Sequence, residues 1–70
     1  MSKRMALQSG WDMALEAVSA PMTLVKFTRG IEVQRARFDV DKRSFIDKIP
    51  VEVSTDERDE LVQNVLAASL

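Results

Sequence analysis

The sequence predicts a small α+β domain of order α-β-β-β-α, in which two helices cover one face of a three-stranded antiparallel sheet. A stretch near each end of the chain has apolar residues at helical spacing. Between these stretches, apolar residues alternate with polar ones, as they do in strands of a sheet with one wet face. We expect a single domain over residues 9–70, preceded by a flexible basic tail over residues 1–8.

The first helix is predicted over residues 10–20. Ser9 precedes it and Asp12 follows three residues later, a pattern that resembles a helix-capping box. Pro21 should end this helix, because proline disfavours helical geometry at the residue before it. The apolar face of the helix would carry Leu7, Trp11, Ala14, Leu15 and Val18.

A hairpin is predicted next. Val25 and Phe27 alternate with Lys26, and Ile31 and Val33 alternate with Glu32. The turn between them, at residues 28–30, ends in a glycine that can adopt a positive φ. After the turn, the apolar positions change parity between Val33 and Ala36, which would place them on opposite faces of a regular strand. A β-bulge near residues 34–35 would restore one apolar face, and we expect it there.

A third strand is predicted over residues 45–53. Pro50 places it at a sheet edge, since proline has no N–H to donate to a neighbouring strand. The second helix is predicted over residues 55–69, because Ser54 and Glu57 have the spacing of a capping box. Its apolar stripe comprises Leu61, Val62, Val65, Leu66 and Leu70.

The chemistry that the chain can offer is limited. It has no cysteine and no histidine, which removes disulfides, thiolate ligands and the commonest acid–base group near neutral pH. Asp39 and Asp41 have the spacing that opens a calcium-binding loop. However, Arg43, Ser44 and Pro50 stand where that loop needs an oxygen ligand, a glycine and a bidentate acid. We therefore expect no enzymatic activity, no cofactor and no metal site.

The charges are unevenly distributed along the chain. Residues 21–38 hold four bases and one acid, whereas residues 39–70 hold eight acids and four bases. Such asymmetry is typical of an interaction surface, but equally of two halves of one molecule, or two protomers, that attract each other. The candidate interaction surface comprises Leu24, Lys26, Arg29, Arg35, Arg37 and Ile46.

A chain of 70 residues without disulfides buries a small core, which favours association with a second copy. Candidate dimer contacts are Met13, Phe45 and Val51. We expect a non-enzymatic protein–protein interaction or adaptor protein that binds itself, as a homodimer, or another protein. One alternative is a small nucleic-acid-binding regulator that uses the basic sheet face. Another is a structural or assembly protein of phage type.

The expected location is the cytoplasm. No apolar run approaches the roughly 18 residues of a membrane span. The first residues also lack the apolar stretch of a secretory signal. A membrane is therefore not among the expected partners.

Overall fold

The computed structural model describes residues 4–70 and shows a curled five-stranded antiparallel sheet, a half-barrel, with one C-terminal helix. The elements, in chain order, are β1 (Arg4–Ala6), β2 (Asp12–Ser19), β3 (Met22–Arg29), β4 (Glu32–Asp39), β5 (Ser44–Phe45) and α1 (Thr55–Ser69). The strands follow one another across the sheet in the same order. The α+β class is confirmed, but the predicted three-stranded sheet with two helices is wrong.

The first predicted helix is instead strand β2, which pairs with β3 along its whole length. A β-bulge between Leu15 and Ala17 explains the error. Because the bulge inserts one extra residue, the positions on the inner sheet face fall at residues 11, 13, 15 and 18. Three of them, Trp11, Leu15 and Val18, therefore have the spacing of a helix face. Strand pairing outweighs the good helix propensity of this segment.

The bulge predicted near residues 34–35 is also wrong. Strand β4 pairs with β3 in unbroken register, from Glu32 opposite Arg29 to Asp39 opposite Met22. The change of apolar parity is therefore left uncorrected. Ala36 is buried, whereas Val33 faces outward with 43% of its surface exposed.

The predicted hairpin is present, with a turn of two residues rather than three. Gly30 has a φ of 61° and the following Ile31 does not have a positive φ, which is the pattern of a type II′ turn. Pro21 does not end a helix. It lies in the turn between β2 and β3, after a cis peptide bond with Ala20.

The third predicted strand is much shorter than expected. Only Ser44–Phe45 pairs, as β5, and residues 46–54 are irregular. Apolar side chains of this irregular segment nevertheless pack against the core. The second predicted helix is confirmed as α1, Thr55–Ser69, and the Ser54 N–H donates to the Glu57 carboxylate at 3.3 Å, as in a capping box.

The core lies between the concave face of the sheet and α1. Its buried apolar residues are Met5, Leu7, Trp11, Met13, Val25, Phe27, Ala36, Phe38, Leu61, Val65 and Leu66. Residues 4–8 of the predicted flexible tail thus form β1 and the start of the next loop, while residues 1–3 lie outside the described part of the chain. Over residues 4–70, no helix is both long and apolar enough to cross a membrane.

Candidate interaction surface

Four of the six residues predicted as an interaction surface lie on the convex outer face of the sheet. Leu24 is paired with Arg37, and Lys26 is paired with Arg35. Residues opposite each other in a ladder share a face, and these pairs alternate with the buried ones. Ile46 lies next to this group, because its N–H donates to the Arg37 carbonyl at 2.9 Å.

Arg29 is separate from that group. It stands at the end of β3, opposite Glu32, and donates to that carboxylate at 3.2 Å. Its guanidinium carbon lies 4.5 Å from the centroid of the Trp11 ring, which is a cation–π contact. Arg29 thus covers a core tryptophan and lies apart from the outer arginines.

Arg35 is paired with Glu16, the extra residue of the β2 bulge. The two side chains form a bidentate contact, with Nε to Oε2 at 2.9 Å and an Nη to Oε1 at 3.0 Å. The hydrogen bond from Arg35 holds the pKa of Glu16 below its ordinary value, and the same bond raises the pKa of Arg35.

Arg37 is paired with Asp47 through three hydrogen bonds. The guanidinium donates at 3.0 and 2.8 Å, and the Arg37 backbone N–H donates to the same carboxylate at 2.9 Å. The side-chain bond lowers the pKa of Asp47 to about 2, with a further contribution from the backbone bond. The Arg37 pKa is raised by the same contact.

Both outer arginines therefore have a carboxylate partner, and the outer face is not a row of free cations. Binding to nucleic-acid phosphates depends on uncompensated positive charge, which these two paired arginines do not provide. The sequence reasoning missed both acidic partners. Glu16 lies in the segment predicted as the first helix, whereas Asp47 is recognisable in the sequence because it interrupts the apolar parity of its segment.

One edge of the sheet is uncovered within the described residues. Strand β5 pairs with only the last two residues of β4, so residues 32–36 have a strand neighbour on one side alone. We call these five residues the β4 edge. Val33 on this edge is 43% exposed, and Ile31 just before it is fully exposed.

Two residues of the β4 edge direct their backbone N–H and C=O groups toward solvent. At Arg37, the N–H binds the Asp47 carboxylate and the C=O accepts from Ile46, so both groups point away from β3. In an antiparallel ladder, the direction of these groups alternates from residue to residue. The N–H and C=O of Val33 and Arg35 must therefore point away from β3 as well.

The three candidate dimer contacts face this chain's own core. Met13 is fully buried on the inner sheet face. Phe45 is half-buried and packs edge-to-face on Phe38, with 5.0 Å between the ring centroids. Val51 is also half-buried and packs against the core cluster.

No set of three or more Asp or Glu side chains in residues 4–70 converges on a geometry that could hold a metal ion. Comparisons with protein-family models, with curated proteins and with solved structures find no match to this chain.

Proposed function

We propose that the chain is a non-enzymatic protein–protein interaction module of the cytoplasm, which self-associates by pairing its β4 edge with that of a second copy. The observation that carries the proposal is the regular ladder at residues 32–36, whose outer side no strand of residues 4–70 covers. Unpaired N–H and C=O groups on such an edge are a template for another strand. Strand addition of this kind is a recurrent mode of protein recognition.

A second copy fits this edge because the edge is self-complementary. A two-fold axis at Gln34 would set Val33 opposite the partner's Arg35, and the same pair would form again across the axis. Both residues present their N–H and C=O outward, as a hydrogen-bonded antiparallel pair requires. At each end of the pairing, the fully exposed Ile31 would meet the partner's Ile46, which is 45% exposed.

The Arg35–Glu16 pair supports this arrangement. Near the axis, Arg35 of one copy would be a diagonal neighbour of the partner's Arg35, and like charges at that range repel. Because Glu16 already binds each guanidinium at 2.9 and 3.0 Å, the net charge that meets across the axis is small. The other sheet edge is a poorer template, since β2 carries its bulge there between Leu15 and Ala17.

Two exposed valines provide a matched test. Val33 lies on the β4 edge and is 43% exposed, whereas Val18 on β2 is 49% exposed. A lysine on an edge strand discourages pairing with another chain. Sedimentation equilibrium from micromolar to millimolar concentrations should show a dimer for the parent chain and for Val18→Lys, and a monomer for Val33→Lys. Circular dichroism would verify that both variants are folded.

A parent chain that stays monomeric over this range would overturn the proposal. A dimer that survives Val33→Lys but is lost in Val18→Lys would move the interface to β2 and overturn the assignment to β4.

A further inference from the structure

A groove with a cationic rim lies between α1 and the segment around β5. One part of it is a cavity of about 330 Å³. Three cations and three half-buried apolar side chains share this cavity: Arg43, Lys48 and Arg58, with Phe45, Ile49 and Val62. Cations over an apolar floor are suited to a ligand that carries both apolar groups and negative charge.

The three cations have no ion-pair partner among the residues that the structure describes. Asp47 also lines the cavity, but both of its carboxylate oxygens are already bound by Arg37. Arg58 stands near the start of α1, where the helix dipole disfavours a positive charge. Arg43 has a φ of 55°, which is uncommon for a residue other than glycine. Neither position is explained by a gain in stability.

A second cavity of about 470 Å³ lies beside the first, with Arg43 in the lining of both. Leu66 and Leu70 of the C-terminal region line this second part, together with one acid, Asp41, which the three cations outnumber. Together with Arg58 and Val62, they are spaced four residues apart and so form one stripe along the helix. From residue 58 to residue 70 a helix rises about 18 Å, which is the length of about five residues of extended peptide.

We propose that this α1 groove binds an extended segment of a partner protein in which apolar and acidic residues alternate. The apolar side chains would lie on the stripe from Val62 to Leu70, and the carboxylates would pair with the three rim cations. The inference goes beyond self-association, because no residue of the groove belongs to the β4 edge.

The test uses the full chain and a fluorescein-labelled peptide in which leucine and glutamate alternate, followed by fluorescence anisotropy. The peptide should bind, and added salt should weaken the binding, since partly exposed ion pairs are screened. The double variant Lys48→Gln/Arg58→Gln should weaken binding by roughly two- to thirtyfold, as expected for two exposed ion pairs. The control Arg4→Gln/Lys42→Gln removes the same charge from exposed positions outside the groove, and its affinity should match the parent's.

Three outcomes would overturn the inference. The peptide does not bind, or the control variant loses as much affinity as the groove variant, or a peptide of leucine and lysine binds equally well. Capture of the chain by vesicles containing phosphatidylserine, without binding of the acidic peptide, would assign the cations to a lipid surface instead. Val33→Lys should retain the peptide affinity of the parent chain, so a failure of the self-association proposal is distinguishable from a failure of this one.

Discussion

Replacing Glu57 by alanine should destabilise the fold by about 3 kcal/mol, because this side chain joins the start of α1 to the β1–β2 loop. Glu57 is only 5% exposed. Its carboxylate accepts from the Gln8 N–H at 3.1 and 3.3 Å and from the Ser54 N–H at 3.3 Å. The two donors are 46 positions apart in the chain, so the interaction fixes where the helix begins relative to the sheet.

The magnitude follows from the number of donors. A hydrogen bond to a charged group contributes about 1.5–3 kcal/mol, and donor–acceptor distances above 3 Å place these two bonds near the lower limit. A domain of 70 residues has a free energy of unfolding of about 4–10 kcal/mol. The loss is therefore a large fraction of the total stability. With a urea dependence of roughly 1 kcal/mol per molar, the unfolding midpoint should fall by about 3 M.

Urea titrations followed by circular dichroism would measure this loss. Glu57→Gln keeps one carbonyl oxygen as an acceptor and should lose less stability than Glu57→Ala. Glu60→Ala removes an exposed acid from the same helix and should change the midpoint little. If Glu57→Ala and Glu60→Ala unfold at the same urea concentration, the reasoning about this carboxylate is refuted.

Three further predictions concern acid stability, a buried hydroxyl and a loop glycine. Since the pKa of Asp47 is lowered from 3.8 to about 2 in the folded chain, its contribution is present above about pH 4 and is lost as the pH falls through 2. The stability difference between the parent chain and Asp47→Asn should thus be constant above that pH and shrink below it in thermal melts. Thr23→Val keeps the shape of a fully buried side chain but loses the 2.8 Å hydrogen bond with the Ser69 hydroxyl. Its free energy of unfolding should therefore be about 1 kcal/mol lower than that of the parent chain. Gly10→Ala should lose more than about 1 kcal/mol, because Gly10 has a φ of 96°. Steric contact is not the cause, since the added carbon would lie an ordinary 3.9 Å from Arg29. Urea midpoints of the two variants would check both values.

The C-terminal helix could be predicted because its signals are local. Ser54 and Glu57 are three residues apart, and the apolar stripe behind them has the period of a helix. Both signals act within a single element, and the structure shows the helix at the predicted bounds, Thr55–Ser69. Tertiary contacts did not have to be known.

The N-terminal half could not be predicted because a bulge changes the meaning of the pattern. With Glu16 inserted, the inward positions at and just before β2 lose their period of two, and Trp11, Leu15 and Val18 acquire helical spacing. Nothing in the sequence of β2 shows which of its residues will be left without a partner in β3. That information lies in the ladder with β3, which the local pattern does not contain.

The candidate surface was predictable in part for a similar reason. The alternation of β3 and β4 was sufficient to place Leu24, Lys26, Arg35 and Arg37 on one face. Their acidic partners come from a bulge in another strand and from a loop after β5, and so depend on the tertiary fold. The sequence thus identified the cations on the face but not their neutralisation.

The uncorrected parity of β4 connects the fold to the proposed function. Other uncovered positions are protected in the ways that sheets usually are: β2 has a bulge, and the N–H of Arg37 is bound by the Asp47 carboxylate. The β4 edge has neither device in the described chain. Its regular register turns the apolar Val33 outward. The backbone N–H and C=O groups of Val33 and Arg35 are left without a partner strand. A bulge at this point would have buried the valine and disrupted the edge. Its absence is a loss for the isolated chain, and the proposed pairing with a second copy would offset this loss with hydrogen bonds as well as apolar contact.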